Sequence, residues 1–299
     1  MKTQVGFIGL GAMGKPMALN LINRGYPLNV FDFRKEPLDE ARAKGAVVCE
    51  SGREVAGRAK FIITMLPSSP DVERAVLGPS GVLGGVQPGS VLIDMSTISP
   101  LTTRTVGAAL LEKGVDMIDA PVTKGVSAAE KGTLSILVGG KKEVVERCRP
   151  LLECMGTDIV HTGDLGSGEV VKIVNNLILA TIVNATSEAL VLGVKAGVDP
   201  DILLQTLKVS SAGSYVMNSH IAEFTYRRRF DKERFPVTYM LKDLGLAREL
   251  AESLGFPLFF GALSRQTYTT MFGKKLEDRY HPVVIKLWEE LAGVEVREG

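Results

Sequence analysis

The chain has 299 residues, of which 45% are hydrophobic and 23% charged, with a formal net charge of +1. This length leaves room for two domains and a sizeable core, and the near-neutral balance excludes a bulk electrostatic case for nucleic-acid or membrane partners. Three cysteines (Cys49, Cys148 and Cys154), an odd number without CxxC spacing, exclude a disulfide framework and a metal site, and read as reduced thiols of a cytoplasmic protein.

In chain order the first element is an apolar strand, Val5-Gly6-Phe7-Ile8, which runs into Gly9-Leu10-Gly11-Ala12-Met13-Gly14 and then a helical pattern. It starts so early that no signal or transit peptide is expected before it. Strand, G-x-G-x-x-G and helix together read as the phosphate-cradling turn of a dinucleotide-binding βαβ unit. Gly9 allows the tight turn, Gly11 lets the backbone approach a pyrophosphate, and Gly14 lets helix and strand pack closely. The helix N-terminus offers N–H groups and a partial positive charge to the phosphates. A second strand ends at Asp32, 18 residues beyond Gly14, where an acid is expected on the ribose hydroxyls. That favours NAD. Arg34 and Lys35, just after it, are cations that could host the 2′-phosphate of NADP.

The alternation continues. Strands are predicted over 46–48, 61–66, 90–94, 117–120, 134–138 and 158–161, with helices over 101–113 and 141–155. The run 61–66 is apolar throughout, as in a strand buried on both faces. The pattern predicts an α/β fold, a Rossmann-type, doubly wound, mostly parallel sheet over residues 1–163. From 164 onward it predicts an all-helical domain to 299, with helices over 170–196, 240–253, 262–272 and 283–291. Asp199 before Pro200 reads as an N-cap opening another helix, to about residue 208. The helix over 170–196 contains Asn175, Asn176, Asn184 and Glu188 and reads as a buried helix, not a membrane span. It is too apolar to face water, which implies packing against several helices or a second subunit. The basic run Arg227-Arg228-Arg229 reads as a solvated helix end, with contact to an anionic substrate as the alternative.

Chemistry is expected beyond the carboxyl ends of the strands: at Leu66-Pro67, at Ser96-Thr97, and at Thr123-Lys124-Gly125. Thr97 reads either as a ligand of the nicotinamide ribose or substrate, or as a helix cap. The strongest catalytic candidate is Lys172, in Gly166-Ser167-Gly168-Glu169-Val170-Val171-Lys172, with Asn176 one turn on along the same helical face. A lysine in so apolar a helix is either desolvated and poised for acid/base work or a snorkelling residue near a helix start. Lys242-Asp243 reads as an exposed ion pair interrupting a helix.

Four ordered segments together resemble the β-hydroxyacid dehydrogenase family of 3-hydroxyisobutyrate dehydrogenases, tartronate semialdehyde reductases and 2-(hydroxymethyl)glutarate dehydrogenases. They are Gly-Phe-Ile-Gly-Leu-Gly-Ala-Met-Gly at 6–14, Asp-Ala-Pro-Val at 119–122, Gly-x-Gly-x-x-x-Lys-x-x-x-Asn at 166–176, and Lys-Asp-Leu-Gly-Leu-Ala at 242–247. The segment Ile285-Lys286-Leu287-Trp288-Glu289 is similar to the 2-(hydroxymethyl)glutarate branch. The resemblance implies that Lys172 is the catalytic acid/base, that Asn176 orients the substrate, that Thr97, Leu66 and Pro67 line the cofactor, and that Lys242 closes over it. It also implies a homodimer or homotetramer with a long buried helix. Where the family's substrate loop carries Ser-Gly-Gly, this chain has Thr123-Lys124-Gly125. Lys124 then either recognises a second anionic group on the substrate or points to solvent.

The expected function is NAD-dependent oxidation of the primary alcohol of a small, anionic 3-hydroxy acid, or reduction of the matching semialdehyde. The alternatives are an NADPH-dependent semialdehyde or glyoxylate-type reductase and a non-catalytic dinucleotide-binding protein. Ser214, Tyr215, Asn218 and the 235–239 region are further candidates for shaping the pocket.

Overall fold

Val5–Ile8 forms β1, and the glycine-rich turn after it leads into α1 (Gly14–Asn23) in the computed structural model, which describes residues 2–231 and 234–299. The first of two compact units ends at Lys172. It continues with β2 (Leu28–Phe31), α2 (Lys35–Ala43), β3 (Val47–Val48), α3 (Gly52–Arg58), β4 (Phe61–Thr64), α4 (Ser69–Leu77), β5 (Val91–Asp94), α5 (Pro100–Leu111), β6 (Asp116–Asp119), β7 (Val122–Thr123), α6 (Gly125–Lys131), β8 (Leu134–Gly139), α7 (Lys142–Leu152) and β9 (Gly156–Gly163). The sheet order is β3-β2-β1-β4-β5-β6-β8-β7, with β9 paired to β8. From β3 across to β6 every pairing is parallel; β8 runs antiparallel to β6 and β7, and β9 is parallel to β8.

The chain leaves β1 towards β2 on one side and returns to β4 on the other. Order therefore reverses between β1 and β4, which places the ligand crevice at their carboxyl ends. Alternation along the strands fills both faces of the sheet. Ile63 and Ile93 join one core cluster and Ile62 and Leu92 the other, all fully buried. Ser51 caps α3 by accepting the Glu54 N–H, and Ser99, followed by Pro100, caps α5 through the Leu101 N–H.

The first turn of α8 (Ser167–Lys195) is tied to β6 by Asp119, so it belongs to the first unit, and the second begins at Ile173. α8 is the one helix among the described residues long and apolar enough to cross a membrane. The second unit adds α9 (Pro200–Val209), a π-helical segment (Met217–Thr225), α10 (Val237–Ser253), α11 (Phe259–Gly273), a 3₁₀ turn (His281–Val284) and α12 (Ile285–Ala292). Its only strand-like feature among the described residues is the isolated bridge between Pro236 and Tyr280. Asp199 caps α9 with bonds from the N–H groups of Asp201 and Ile202.

Val183, Leu190, Met240, Leu244, Met271 and Val283 form this unit's core. Tyr268 is buried with them and bonds through its hydroxyl to the buried His281 ring. The basic run resolves into structure: Arg228, at φ 57°, pairs with Glu289 and Glu295, and Arg227 pairs with Glu223. Arg228 is thus a clamp on the C-terminal segment instead of a solvated helix end.

Candidate active site

The glycine turn shows why each glycine stands where it does. Gly9 has φ +96°, and a Cβ there would lie 2.3 Å from the Met65 carbonyl oxygen at the end of β4. A Cβ on Gly14 would lie 1.9 Å from the Gly9 carbonyl oxygen. Gly11 is different: the nearest heavy atom a Cβ there would meet is the Arg34 guanidinium, at 3.8 Å. The first turn of α1 has neither a side-chain cap nor an acidic residue. Its N–H groups and positive helix end therefore suit a ligand phosphate, with Gly11 leaving the approach clear. These features fit a dinucleotide pyrophosphate against Gly9, Leu10, Gly11, Ala12, Met13 and Gly14.

Asp32 follows β2. Its carboxylate accepts the Leu10 N–H at 2.7 Å, the Arg34 N–H at 2.8 Å, and the Arg34 side chain through Nε (3.0 Å) and Nη2 (2.9 Å). Partial burial pushes its pKa up, but the hydrogen bonds from Arg34 and Leu10 outweigh that and hold it below the usual carboxylate range. The Arg34 guanidinium thus engages both oxygens of the Asp32 carboxylate.

Beyond β4 and β5 a buried network joins the two loops that should flank the nicotinamide. The Leu66 N–H donates to Ser96 Oγ (2.9 Å), Ser96 Oγ donates to Asp94 Oδ1 (2.6 Å), and Thr64 Oγ1 donates to the same oxygen (2.8 Å). Asp94 is fully buried, and its Oδ2 has no hydrogen-bond partner among the described residues. Burial, reinforced by the charge of Asp119, pushes its carboxyl up to about 6 against the hydrogen bonds from Ser96 and Thr64. Thr97 is half-buried directly after this network, before Ser99, which caps α5. Pro67 ends the β4 loop beside Leu66.

The loop Thr123-Lys124-Gly125 leaves the sheet at β7. Thr123 is half-buried and paired with Ser135. Lys124 (φ 78°) and Gly125 (φ 73°) are both left-handed, a conformation that disfavours a side chain and explains why a glycine suits position 124. The Lys124 ammonium is exposed and ion-paired with Asp158 on β9.

On α8, Lys172 is 8% exposed and lies three residues beyond the fully buried Glu169. Asp119, at the end of β6, accepts the N–H groups of Gly166 (2.7 Å) and Glu169 (2.9 Å). In the second unit, Asn176 donates to Asp243 Oδ2 at 2.5 Å, Asn175 donates to Asn176 Oδ1, and Lys242 lies 3.2 Å from Asp243 Oδ1. The Lys242–Asp243 pair is therefore not the exposed one expected: Asp243 is 2% exposed.

The structure thus gathers the glycine turn, Asp32, Arg34, Leu66, Pro67 and Thr97 at one end of the sheet, and joins Asn176 to Lys242 through Asp243. Sequence reasoning missed Asp94, the cap formed by Asp119 and the burial of Asp243. A carboxylate ending an otherwise apolar strand was the available signal for the first. Among the described residues no group of three or more His, Cys, Asp or Glu could hold a metal. All three cysteines are buried and unpaired, with burial pushing the Cys148 thiol up to about 12.

Residues 4–163 match the NAD-binding domain of 6-phosphogluconate dehydrogenase, and residues 166–288 match the NAD-binding domain of NADP-dependent 3-hydroxyisobutyrate dehydrogenase. The chain is 40% identical to 2-(hydroxymethyl)glutarate dehydrogenase of Eubacterium barkeri, covering 99% of this chain and 98% of the relative. It is 38% identical to the NAD-dependent L-serine dehydrogenase of Pseudomonas aeruginosa, covering 97% and 99%. Among solved structures, Mycobacterium tuberculosis 3-hydroxyisobutyrate dehydrogenase with L-serine superimposes with a TM-score of 0.87 at 32% identity, covering 96% and 99%. With a dinucleotide turn, a buried lysine on α8 and relatives matched along nearly their whole length, the chain belongs to the β-hydroxyacid dehydrogenase family and is an NAD(P)-dependent dehydrogenase acting on CH–OH groups.

Proposed function

We propose that this enzyme oxidises the primary alcohol of a 2-substituted 3-hydroxypropanoate with NAD, or reduces the corresponding semialdehyde, with Lys172 as general acid/base. The observation that carries this reading is Lys172 itself, held 8% exposed on the apolar helix α8. The molecules for which the relatives are named, 2-(hydroxymethyl)glutarate, L-serine and 3-hydroxyisobutyrate, share one unit, HOCH2–CH(X)–COO⁻, and differ only in X. A site that recognises this unit needs an acceptor for the alcohol proton and groups for the carboxylate.

A bound nicotinamide would supply the hydride acceptor, or the hydride donor in reduction. Lys172 takes the hydroxyl proton at Nζ as the carbonyl forms, and in the reverse direction its ammonium returns a proton to the carbonyl oxygen. Asn176, its amide oriented by Asp243, positions the substrate. Thr123 and the backbone at Lys124 and Gly125 face the substrate carboxylate. Gly9, Leu10, Gly11, Ala12, Met13 and Gly14 hold the pyrophosphate, Asp32 the adenosine ribose, and Leu66, Pro67 and Thr97 the nicotinamide half; Lys242 is a further cofactor-binding residue.

Residues 1–163 serve as the dinucleotide-binding domain and 164–299 as the substrate and oligomerisation domain. Exposed apolar side chains at Val174, Ile178 and Leu192 on α8 and at Phe259, Phe260 and Leu263 on α11 support a homodimer or homotetramer. The protein acts in the cytoplasm. An NADPH-dependent reductase is the second reading, favoured by the Arg34 guanidinium beside Asp32.

The test is Lys172→Ala. Turnover of 3-hydroxyisobutyrate, L-serine and 2-(hydroxymethyl)glutarate, followed at the nicotinamide absorbance, should fall about 10²- to 10⁴-fold, with NAD binding by calorimetry retained. Near-normal turnover would remove Lys172 from the mechanism.

A further inference from the structure

The start of α8 is held by a residue from a neighbouring strand. The position before its first residue is Gly166, which carries no side chain, and the Ser167 hydroxyl is bonded to Thr162. The four N–H groups that open a helix need acceptors when buried. Here the Ser167 N–H bonds to the Asp164 carbonyl, while the N–H groups of Gly166 and Glu169 find an acceptor 47 and 50 residues back in the chain: Asp119 at the end of β6, whose Oδ1 accepts the Gly166 N–H and Oδ2 the Glu169 N–H.

The fit leaves no room for side chains. A Cβ on Gly168 would lie 2.8 Å from Asp119 Oδ2 and 2.4 Å from the Leu137 carbonyl oxygen. A Cβ on Gly139, the residue paired with Asp119 across β6 and β8, would lie 2.4 Å from Asp119 Oδ1. Asp119 is fully buried, so its charge is balanced by these N–H groups and by the positive end of the helix.

We infer that Asp119 is a positioning residue for Lys172: by capping α8 from the neighbouring strand, it sets where along the sheet edge the lysine amine stands. Lys172 lies five residues beyond Ser167, the first residue of α8, about 7.5 Å along its axis. Any slip of the first turn is therefore delivered to the amine. The inference rests on the reading of Lys172 as general acid/base. It also explains the glycines at 168 and 139 as the walls of a socket for a carboxylate.

Two variants perturb the socket independently. Asp119→Asn keeps the shape but replaces one of the two acceptor oxygens by an amide NH2, so that one of the two N–H groups faces a donor; Gly168→Ala leaves the carboxylate and forces the helix start away from it. Each should lower kcat about 10- to 100-fold, the scale of an ångström-sized misplacement. The Kd for NAD by calorimetry should stay within about twofold. In a Lys172→Ala background neither should lower the residual rate further, because a double-mutant cycle removes an effect that runs through the lysine. Equal losses with and without Lys172, or an NAD Kd that rises in step with the loss of kcat, would overturn the inference. So would an inactive Lys172→Ala beside fully active socket variants, and that pattern would leave the lysine's role standing. Near-normal turnover of Lys172→Ala would instead overturn the lysine's role and the inference together. Melting temperatures of both variants separate a displaced helix from an unfolded chain.

Discussion

Asn176 donates its side-chain amide to the buried carboxylate of Asp243, while Lys242 holds the other oxygen of that carboxylate. The arrangement fixes the amide of Asn176 in one orientation, its Oδ1 taken by Asn175. Asp243→Ala should therefore raise KM for the hydroxy acid and lower kcat, together about tenfold or more in kcat/KM. It should also cost about 1–3 kcal/mol of stability through the polar groups left behind. Asp243→Asn, which can still accept from Asn176, should lose less. Steady-state kinetics and chemical denaturation of the two variants check this; equal effects would mean that the charge matters, not the amide orientation.

Arg34 grips Asp32 through two side-chain nitrogens and its backbone N–H. A ribose hydroxyl must share acceptors that the guanidinium already holds, whereas a 2′-phosphate would gain a partner. Arg34→Ala should weaken NADP binding about tenfold or more and leave NAD binding unchanged or a few-fold tighter. Calorimetric titration with each dinucleotide reads the difference without turnover. A comparable loss for both would place the guanidinium on the pyrophosphate.

Asp94 offers a pH test of stability. Its folded-state carboxyl, at about 6, lies above the ordinary 3.8. Between those values the native protein binds more protons than the unfolded chain, so this group's contribution is full below about pH 4 and is lost as pH rises through 6. Asp94→Asn does not titrate. The stability of the wild-type protein relative to this variant should therefore fall on the order of 3 kcal/mol between pH 4 and pH 7. Urea unfolding at several pH values measures it; a flat difference would show that the Asp94 carboxyl is not raised in the folded protein.

Lys124 stands in a left-handed conformation and pairs with Asp158. Glycine there should relieve backbone strain of about 1 kcal/mol and lose an exposed ion pair that contributes little. Lys124→Gly is thus expected to be more stable than the parent. With the ammonium engaged by Asp158, turnover of mono- and dianionic hydroxy acids should change alike. Selective loss of dianionic substrates would assign the ammonium to the substrate instead.

The exposed apolar side chains of α8 and α11 should be covered in an oligomer. Ile178, 53% exposed, and Phe260, 75% exposed, are suitable reporters. Ile178→Glu and Phe260→Glu should each shift the protein towards monomer in light scattering coupled to gel filtration. An unchanged mass for both would place the interface elsewhere.

Much of the fold was legible because burial writes a period into sequence. The runs over 5–8, 61–63 and 91–93 are continuous and apolar because both faces of those strands are covered. Gly9 and Gly14 were legible because only a residue without Cβ fits against Met65 and against the turn itself. The π-helical turn over Met217–Thr225 and the short strand β7 were not, since neither has a composition distinct from an α-helix or a loop.

The sequence by itself determined the dinucleotide turn, the order of helices and strands, and Lys172 as the residue to test. Those depend on spacings within one segment, where local geometry leaves few alternatives. Tertiary structure decided what each carboxylate does. Asp94, Asp119 and Asp243 look alike in a string of letters, yet one holds two loops together, one caps a helix from a neighbouring strand, and one orients an amide. The partners of a buried carboxylate lie up to 67 residues away, and only the packed chain brings them within hydrogen-bond reach.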